Sequence, residues 1–242
     1  MLIGMCGVCA FAVLQYSCFV WTQSFLAAHK MAPGDRMWVG LIARMLQTVL
    51  ALPLGYIADL VGVGTIMLVG PLATVIAAVP LWSIILHNPT SLVAVGWAFG
   101  VGCGTLGLLV ATLPYFFVVE LFPTDVRNTA VGISYNLGFA IFGGLSPVMA
   151  EVLLSASPMG PGFLWMAGGL VTFLSVIVAI HCQRNGMISM THVRKTPYFG
   201  TSTFADDKTG KLSKKDPYAN PASSESDFST SEYTSTDSTA MA

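Results

Sequence analysis

The chain has 242 residues, of which 54% are hydrophobic and only 10% charged, with a mean hydropathy of +0.71. Soluble domains carry about a quarter charged residues, so an ordinary soluble domain is excluded. A formal net charge of −1 offers no bulk attraction to nucleic acid or to acidic partners.

The charges divide the chain in two. Residues 1–183 hold four basic residues (Lys30, Arg36, Arg44, Arg127) and five acids (Asp35, Asp59, Glu120, Asp125, Glu151), and 184–242 holds the other seven of each. The apolar body contains six runs long enough to span a bilayer, which takes about 20 apolar residues each. They cover 2–28, 37–58, 63–86, 91–118, 127–154 and 161–183. The breaks between them are built from Gly, Pro, Asn and charged residues. The runs are apolar nearly all round, where a soluble helix would keep a polar face. This predicts an all-α membrane protein with six transmembrane helices over 1–183 and a disordered tail over 184–242.

The first run has no basic n-region and is too long for a signal-peptide core, so it reads as a span. "LQYSCFVWTQ" places Gln15 and Tyr16 near its middle. Two readings stand: a face toward a watery cavity, or hydrogen bonding between helices. Trp21 and Gln23 lie nearer the outer interface, where tryptophan is a common anchor. "CGVC" at 6–9 has redox or metal spacing, but in an apolar helix these cysteines read as small packing residues. No histidine has a second ligand at useful spacing, and no phosphate loop or nucleophile–base set appears. No metal, cofactor or enzymatic activity is therefore expected.

In the second run Arg44 lies about 10 Å from the outer end, and ionisable groups at such depth default to functional hypotheses. Gln47 and Thr48 follow at i+3 and i+4, giving one face with Arg, Gln and Thr. With no acid at that depth, Arg44 either meets an anion from elsewhere or snorkels to the outer surface. The run ends in "GYIADLVG", residues 55–62. Gly55 permits close helix approach, Asp59 faces the positive end of the next helix, and Gly62 closes a tight turn. In the fourth run Gly96, Gly100 and Gly104 make overlapping G-x-x-x-G repeats, a close-packing face.

The stretch "ELFPTDVRNTAVGISYNLG" at 120–138 interrupts the apolar body. Pro123 ends one helix and Arg127 opens the next. Glu120 and Arg127 at adjoining helix ends can bridge, either as a gate that breaks and reforms or as a static surface pair. Tyr135 and Asn136 follow, with Gly138, Gly143, Gly144 and Pro147 favouring a bend. Lys30 and Arg36 on one side, against Arg127, Arg184, Arg194 and Lys195 on the other, place both termini and the elbow in the cytoplasm.

The turn "GYIADLVG" and the elbow carry a family likeness. The chain resembles the major facilitator superfamily, and within it the metabolite–proton symporters, the group of proline/betaine and alpha-ketoglutarate permeases. "GYIADLVG" is similar to that superfamily's G-x-x-x-D-x-x-G loop, and "ELFPTDVRNTAVGISYNLGFAIFGGLSP" to the stretch joining helices ten and eleven. The resemblance implies helices seven to twelve, the C-terminal half of a twelve-helix fold. It further implies alternating access against a second six-helix half, a small-molecule metabolite as substrate, and a proton as coupling ion. Where the family loop has basic residues after the aspartate, this chain reads "DLVGVG". Sugar and organic-ion transporters share the E-x-x-P-x-x-x-R elbow, but the sugar porters' P-E-T-K-G-like segment is replaced by "HCQRNGMISM".

The expectation is an integral membrane transporter of the plasma membrane. Arg44, Gln15, Tyr16, Gln47, Tyr135 and Asn136 bind substrate. Gly55, Asp59, Gly62, Glu120, Pro123 and Arg127 act in the cytoplasmic gate. Partners are the lipid bilayer and the second half, supplied by a missing N-terminal segment or by a homodimer. The alternatives are a truncated transporter without activity alone, which the start beside a helix favours, and a non-transporting scaffold that works through its Ser/Thr tail.

Overall fold

The computed structural model describes residues 1–61, 63–111, 114–122 and 126–185. The tail, Gly62 and Pro123 lie outside these residues. Among the described residues all regular structure is helical. Five helices are long and apolar enough to cross a membrane: Pro33–Ala58, Gly64–His87, Leu92–Val119, Arg127–Ala156 and Gly160–Gln183. A first helical stretch precedes these second to sixth helices.

That first stretch is not one of the five. It consists of Leu2–Gly7, Cys9–Val13, a π-helical section Leu14–Trp21, and Thr22–Ala28. Its middle is diluted by Gln15, Tyr16 and Ser17, then by Thr22, Gln23 and Ser24. It is also interrupted at Val8. There Thr172 of the sixth helix donates its hydroxyl to the Cys6 carbonyl at 3.0 Å and accepts the Ala10 N–H at 2.8 Å. The hydroxyl thus takes the place of the backbone bond from Ala10 to Cys6. A side chain inserted into the ladder is a recognised cause of a helix break. Ser175, one turn on, donates to Ile3 O at 2.7 Å and fastens the preceding turn to the same helix. Five of the six expected crossings therefore follow from helix length and composition.

Local sequence explains the joints. The first stretch ends with Met31 N–H bonded to Leu26 O at 3.2 Å and Lys30 N–H to Ala27 O at 3.0 Å. This is a Schellman cap, which calls for left-handed backbone and usually glycine. Here Lys30 takes it, at φ 62°. Ser91 caps the fourth helix, its hydroxyl accepting the Ala94 N–H at 3.4 Å. In the fifth helix Pro147 removes a donor from the Gly143 carbonyl. Ser146 replaces it, donating its hydroxyl to Gly143 O at 2.8 Å. In a bilayer, where no water can substitute, such repair is required.

Two buried clusters hold the helices together. One gathers Trp21, Phe25, Trp82 and Trp165, with Trp82 and Trp165 fully buried. Each buried indole has an acceptor: Trp82 donates to Pro158 O at 2.8 Å, Trp165 to Ser17 Oγ at 2.7 Å and Trp21 to Glu151 Oε2 at 2.8 Å. The other, around Val8, Phe117, Val118, Val131 and Val176, joins the first, fourth, fifth and sixth helices. The second helix is largely exposed, with Met37, Trp38, Met45, Leu52 and Tyr56 among its bare side chains. Apolar exposure of this kind suits contact with lipid or with another bundle.

Candidate functional site

Arg44 is the centre of the site. Its Nη1 donates to Gln15 Oε1 and to Gln47 Oε1, both at 3.1 Å. Its guanidinium carbon lies 4.3 Å from the centre of the Phe19 ring, a cation–π contact. Gln15 and Phe19 both sit in the π section Leu14–Trp21, whose wider turn brings residues four apart onto nearly one face. Gln47 comes from the second helix itself, one turn after Arg44. Nε and Nη2 of Arg44 have no hydrogen-bond partner among the described residues. The result is a half-buried cation with one nitrogen held by neutral oxygens and the rest of its fork available.

This arrangement bears on both open readings. Gln15 makes a bond between helices, accepting from the Arg44 guanidinium. Arg44 bonds to Gln47, which lies one turn further from the Pro33 end of its helix. Thr48 does not join the cluster: its hydroxyl donates to Arg44 O at 3.0 Å. Two neighbours had no signal in the sequence. Phe19 looks like any apolar helix residue. Gly107 of the fourth helix backs the group: a Cβ there would collide with Gln47 Nε2 and lie 2.8 Å from the Phe19 ring.

The remaining expected substrate residues lie apart from Arg44. Tyr16 is 40% exposed and rests on Gly143, where a Cβ would come within 2.6 Å of its ring. Its edge meets Phe139 at 6.3 Å, Phe139 stacks on Tyr135 at 4.8 Å, and Tyr135 meets Tyr115 edge-on at 6.1 Å. Asn136 donates Nδ2 to Gly132 O at 2.8 Å. Tyr135 and Asn136 instead line a cavity of about 350 Å³ together with Tyr115, Arg127 and Asn128. The structure thus groups them with Arg127, expected at the gate, rather than with Arg44.

Of the other gate residues, Arg127 opens the fifth helix and donates Nε to Phe122 O at 3.2 Å. The side chains of Glu120 and Asp59, with Gly62, Pro123 and Asp125, lie outside the described residues, and so does the expected Glu120–Arg127 bridge. At Gly55 a Cβ would have open space. The close helix approach expected there is made by no described residue of this chain.

Two packing expectations are corrected. Trp21 is buried, 8% exposed, and bonded to Glu151, so it is a core residue and not an interface anchor. Of the three glycines in the fourth helix, Gly100 and Gly104 receive Ile42 and Ala43 of the second helix, while Gly96 faces open space. The fifth helix carries a π section, Phe139–Gly143. Gly138 and Gly143 there also make room for Val8 and Tyr16 of the first stretch.

These features define a multi-pass integral membrane protein, helical throughout its described regular structure, with a cation seated between two of its helices. Its relatives point the same way. The chain is similar to the proline/betaine transporter of Escherichia coli (strain K12), with 26% identity over 174 residues, 69% of this chain and 33% of that protein. It is similar also to the proline/betaine transporter of Salmonella typhimurium, with 28% identity over 178 residues, 70% of this chain and 34% of that protein. The chain therefore spans about a third of the length of the curated relatives it matches. No protein-family model matches it, and no solved structure matches it.

Proposed function

We propose that this chain is the C-terminal six-helix part of a secondary active transporter of the major facilitator type, with residues 2–28 as the first of six crossings. It rocks against a second six-helix bundle, from the same polypeptide or from a second copy, in alternating access. The substrate is a small polar metabolite bearing a carboxylate, and a proton is the coupling ion implied by the family resemblance. Asp59, Glu120 and Arg127, with Gly55, Gly62 and Pro123, form the cytoplasmic gate. Both termini are cytoplasmic and the membrane is the plasma membrane.

The observation that carries this reading is the seat of Arg44. A guanidinium within a span is costly unless it serves something. Here two glutamine oxygens and a phenyl ring orient it, and its unused donors suit a bidentate carboxylate. The named substrates of the relatives, proline and betaine, both carry a carboxylate.

The test is uptake of labelled proline and glycine betaine into liposomes holding the purified chain, with an imposed pH gradient. Uptake that Arg44→Gln abolishes supports the reading. A chain that folds and binds carboxylates but does not transport is the half acting only with its partner. A chain that neither binds nor transports, yet loses a cytosolic partner when residues 200–242 are deleted, is a scaffold, and the transporter reading fails.

A further inference from the structure

Cys18 and Cys103 are buried thiols that the seat of Arg44 does not use. They are 0% and 1% exposed, belong to the same packed cluster, and are both unbridged. Each lies in a π section: Cys18 within Leu14–Trp21 of the first stretch, Cys103 at the end of Gly96–Cys103 in the fourth helix. The two sections face each other at this point. Phe99 meets the Phe19 ring edge-on at 5.7 Å, and a Cβ on Gly107 would lie 2.8 Å from the same ring. Cys103 stands four residues from each of them, so it shares the face they turn to the first stretch. Cys18 precedes Phe19, and its thiol is hydrogen-bonded to that of Cys103.

Two thiols in contact, from elements far apart in the chain, are set up for one reaction. We propose that Cys18 and Cys103 form an oxidation site, closed to a disulfide by hydrogen peroxide, that crosslinks the first stretch to the fourth helix beside Arg44. Cys18 Sγ attacks one peroxide oxygen and the O–O bond breaks; the departing hydroxide takes the thiol proton and leaves as water. The Cys103 sulfur then attacks the Cys18 sulfenic sulfur. The S–S bond forms, the S–O bond breaks, and a second water leaves with the Cys103 proton. Peroxide is reduced by two electrons and the thiol pair is oxidised by two. Burial slows the first step. It also shields the sulfenic acid from a second peroxide, so that Cys103, already in contact, is the group it meets.

The bond draws the sulfurs in to about 2.05 Å, and the two π sections must approach each other to allow it. Gln15 and Phe19 flank Cys18 in the same section and hold Arg44. Closing the crosslink therefore shifts that seat. The crosslink itself does not depend on transport or on what Arg44 binds; an effect on carboxylate affinity does rest on the function proposed above.

The experiment treats the full chain in lipid nanodiscs with hydrogen peroxide, alkylates the remaining thiols with N-ethylmaleimide in denaturant, and maps the digest by tandem mass spectrometry. No ligand is present, so the outcome is separate from the carboxylate reading. The expected product is a Cys18–Cys103 crosslink that dithiothreitol reverses. It is lost in Cys18→Ser and in Cys103→Ser and kept in Cys182→Ser. The wild-type map identifies the pair without any variant, so a variant that fails to fold does not blunt the test. Cys6 and Cys182, both half-buried, report that the oxidant has acted. Cys18 and Cys103 both still alkylated once Cys6 and Cys182 are oxidised overturn the proposal. So does a crosslink between another pair in place of this one, or sulfinic acid at Cys18 without a crosslink.

Discussion

Nη1 of Arg44 lies 3.1 Å from Oε1 of Gln15, so the charge of the second helix is aimed by the π section of the first. The same guanidinium also rests over the Phe19 ring of that section. The bond keeps the guanidinium off the lipid-facing side of a largely bare helix. It also leaves most of the donor fork unspent, which distinguishes a binding cation from a structural one. Arg44→Gln should weaken binding of a carboxylate ligand by at least about tenfold, because a charge-assisted bidentate contact is lost. Its effect on stability should be small, under about 1 kcal/mol, since Gln15 and Gln47 can bond to the introduced amide. Arg44→Lys should recover stability but not affinity, as an ammonium lacks the planar fork. Isothermal binding and thermal unfolding in detergent separate the two effects.

Gly107 sets the depth of that seat. A methyl group there meets Gln47 Nε2 and the Phe19 ring, both of which touch Arg44. Gly107→Ala must displace one of them, at a cost of about 1–3 kcal/mol for overpacking. Ligand affinity should fall along with stability. Gly96→Ala, at a helical glycine with open space around it, should leave affinity unchanged and raise stability by about 0.5–1 kcal/mol through glycine's lost unfolded-chain entropy. Parallel titrations of the two variants check this.

Much of the architecture was legible in the chain because a bilayer makes composition decisive. Long apolar runs and the turn residues between them mark the helices without any partner being known. Arg44 and Gln47 were legible as a pair because a spacing of three places them on one helix face. Contacts made across the chain were not. Thr172 reaches Ala10 over 162 positions, and Trp21 reaches Glu151 over 130. A threonine and a tryptophan in apolar helices give no local sign of such partners, so the break at Val8 and the burial of Trp21 appear only in three dimensions. The set of six substrate residues divided for the same reason. Helical spacing says which residues share a face, but not which neighbouring helix that face meets.

Thr172 is expected to be the most costly small polar residue to remove. Thr172→Val keeps the shape and leaves the Ala10 N–H and the Cys6 carbonyl without their bridge. Leaving buried backbone groups unpaired costs about 1–3 kcal/mol each. The first stretch should loosen or rebuild a continuous helix across Val8. Hydrogen exchange at residues 6–12 would rise in the first case and fall in the second. Unchanged exchange and an unchanged melting temperature would show that the hydroxyl does not hold the break.

Lys30 offers the opposite test. Its φ of 62° puts a side chain where the Schellman cap favours glycine. The left-handed region costs a non-glycine residue about 1–2 kcal/mol, and glycine's extra freedom in the unfolded chain returns about 0.5–1 kcal/mol of that. Lys30→Gly should therefore stabilise the protein by roughly 0.5–1 kcal/mol. A rise in melting temperature with unchanged helicity is the expected reading.

The central claim is that Arg44 is a seat for a carboxylate. The most direct measurement compares the binding of a carboxylate ligand with that of its methyl ester, to the wild-type chain and to Arg44→Gln, in the same detergent. Wild type should prefer the acid by about tenfold or more, and Arg44→Gln should bind acid and ester alike. Equal binding of acid and ester by the wild type, or a preference that survives Arg44→Gln, would contradict it.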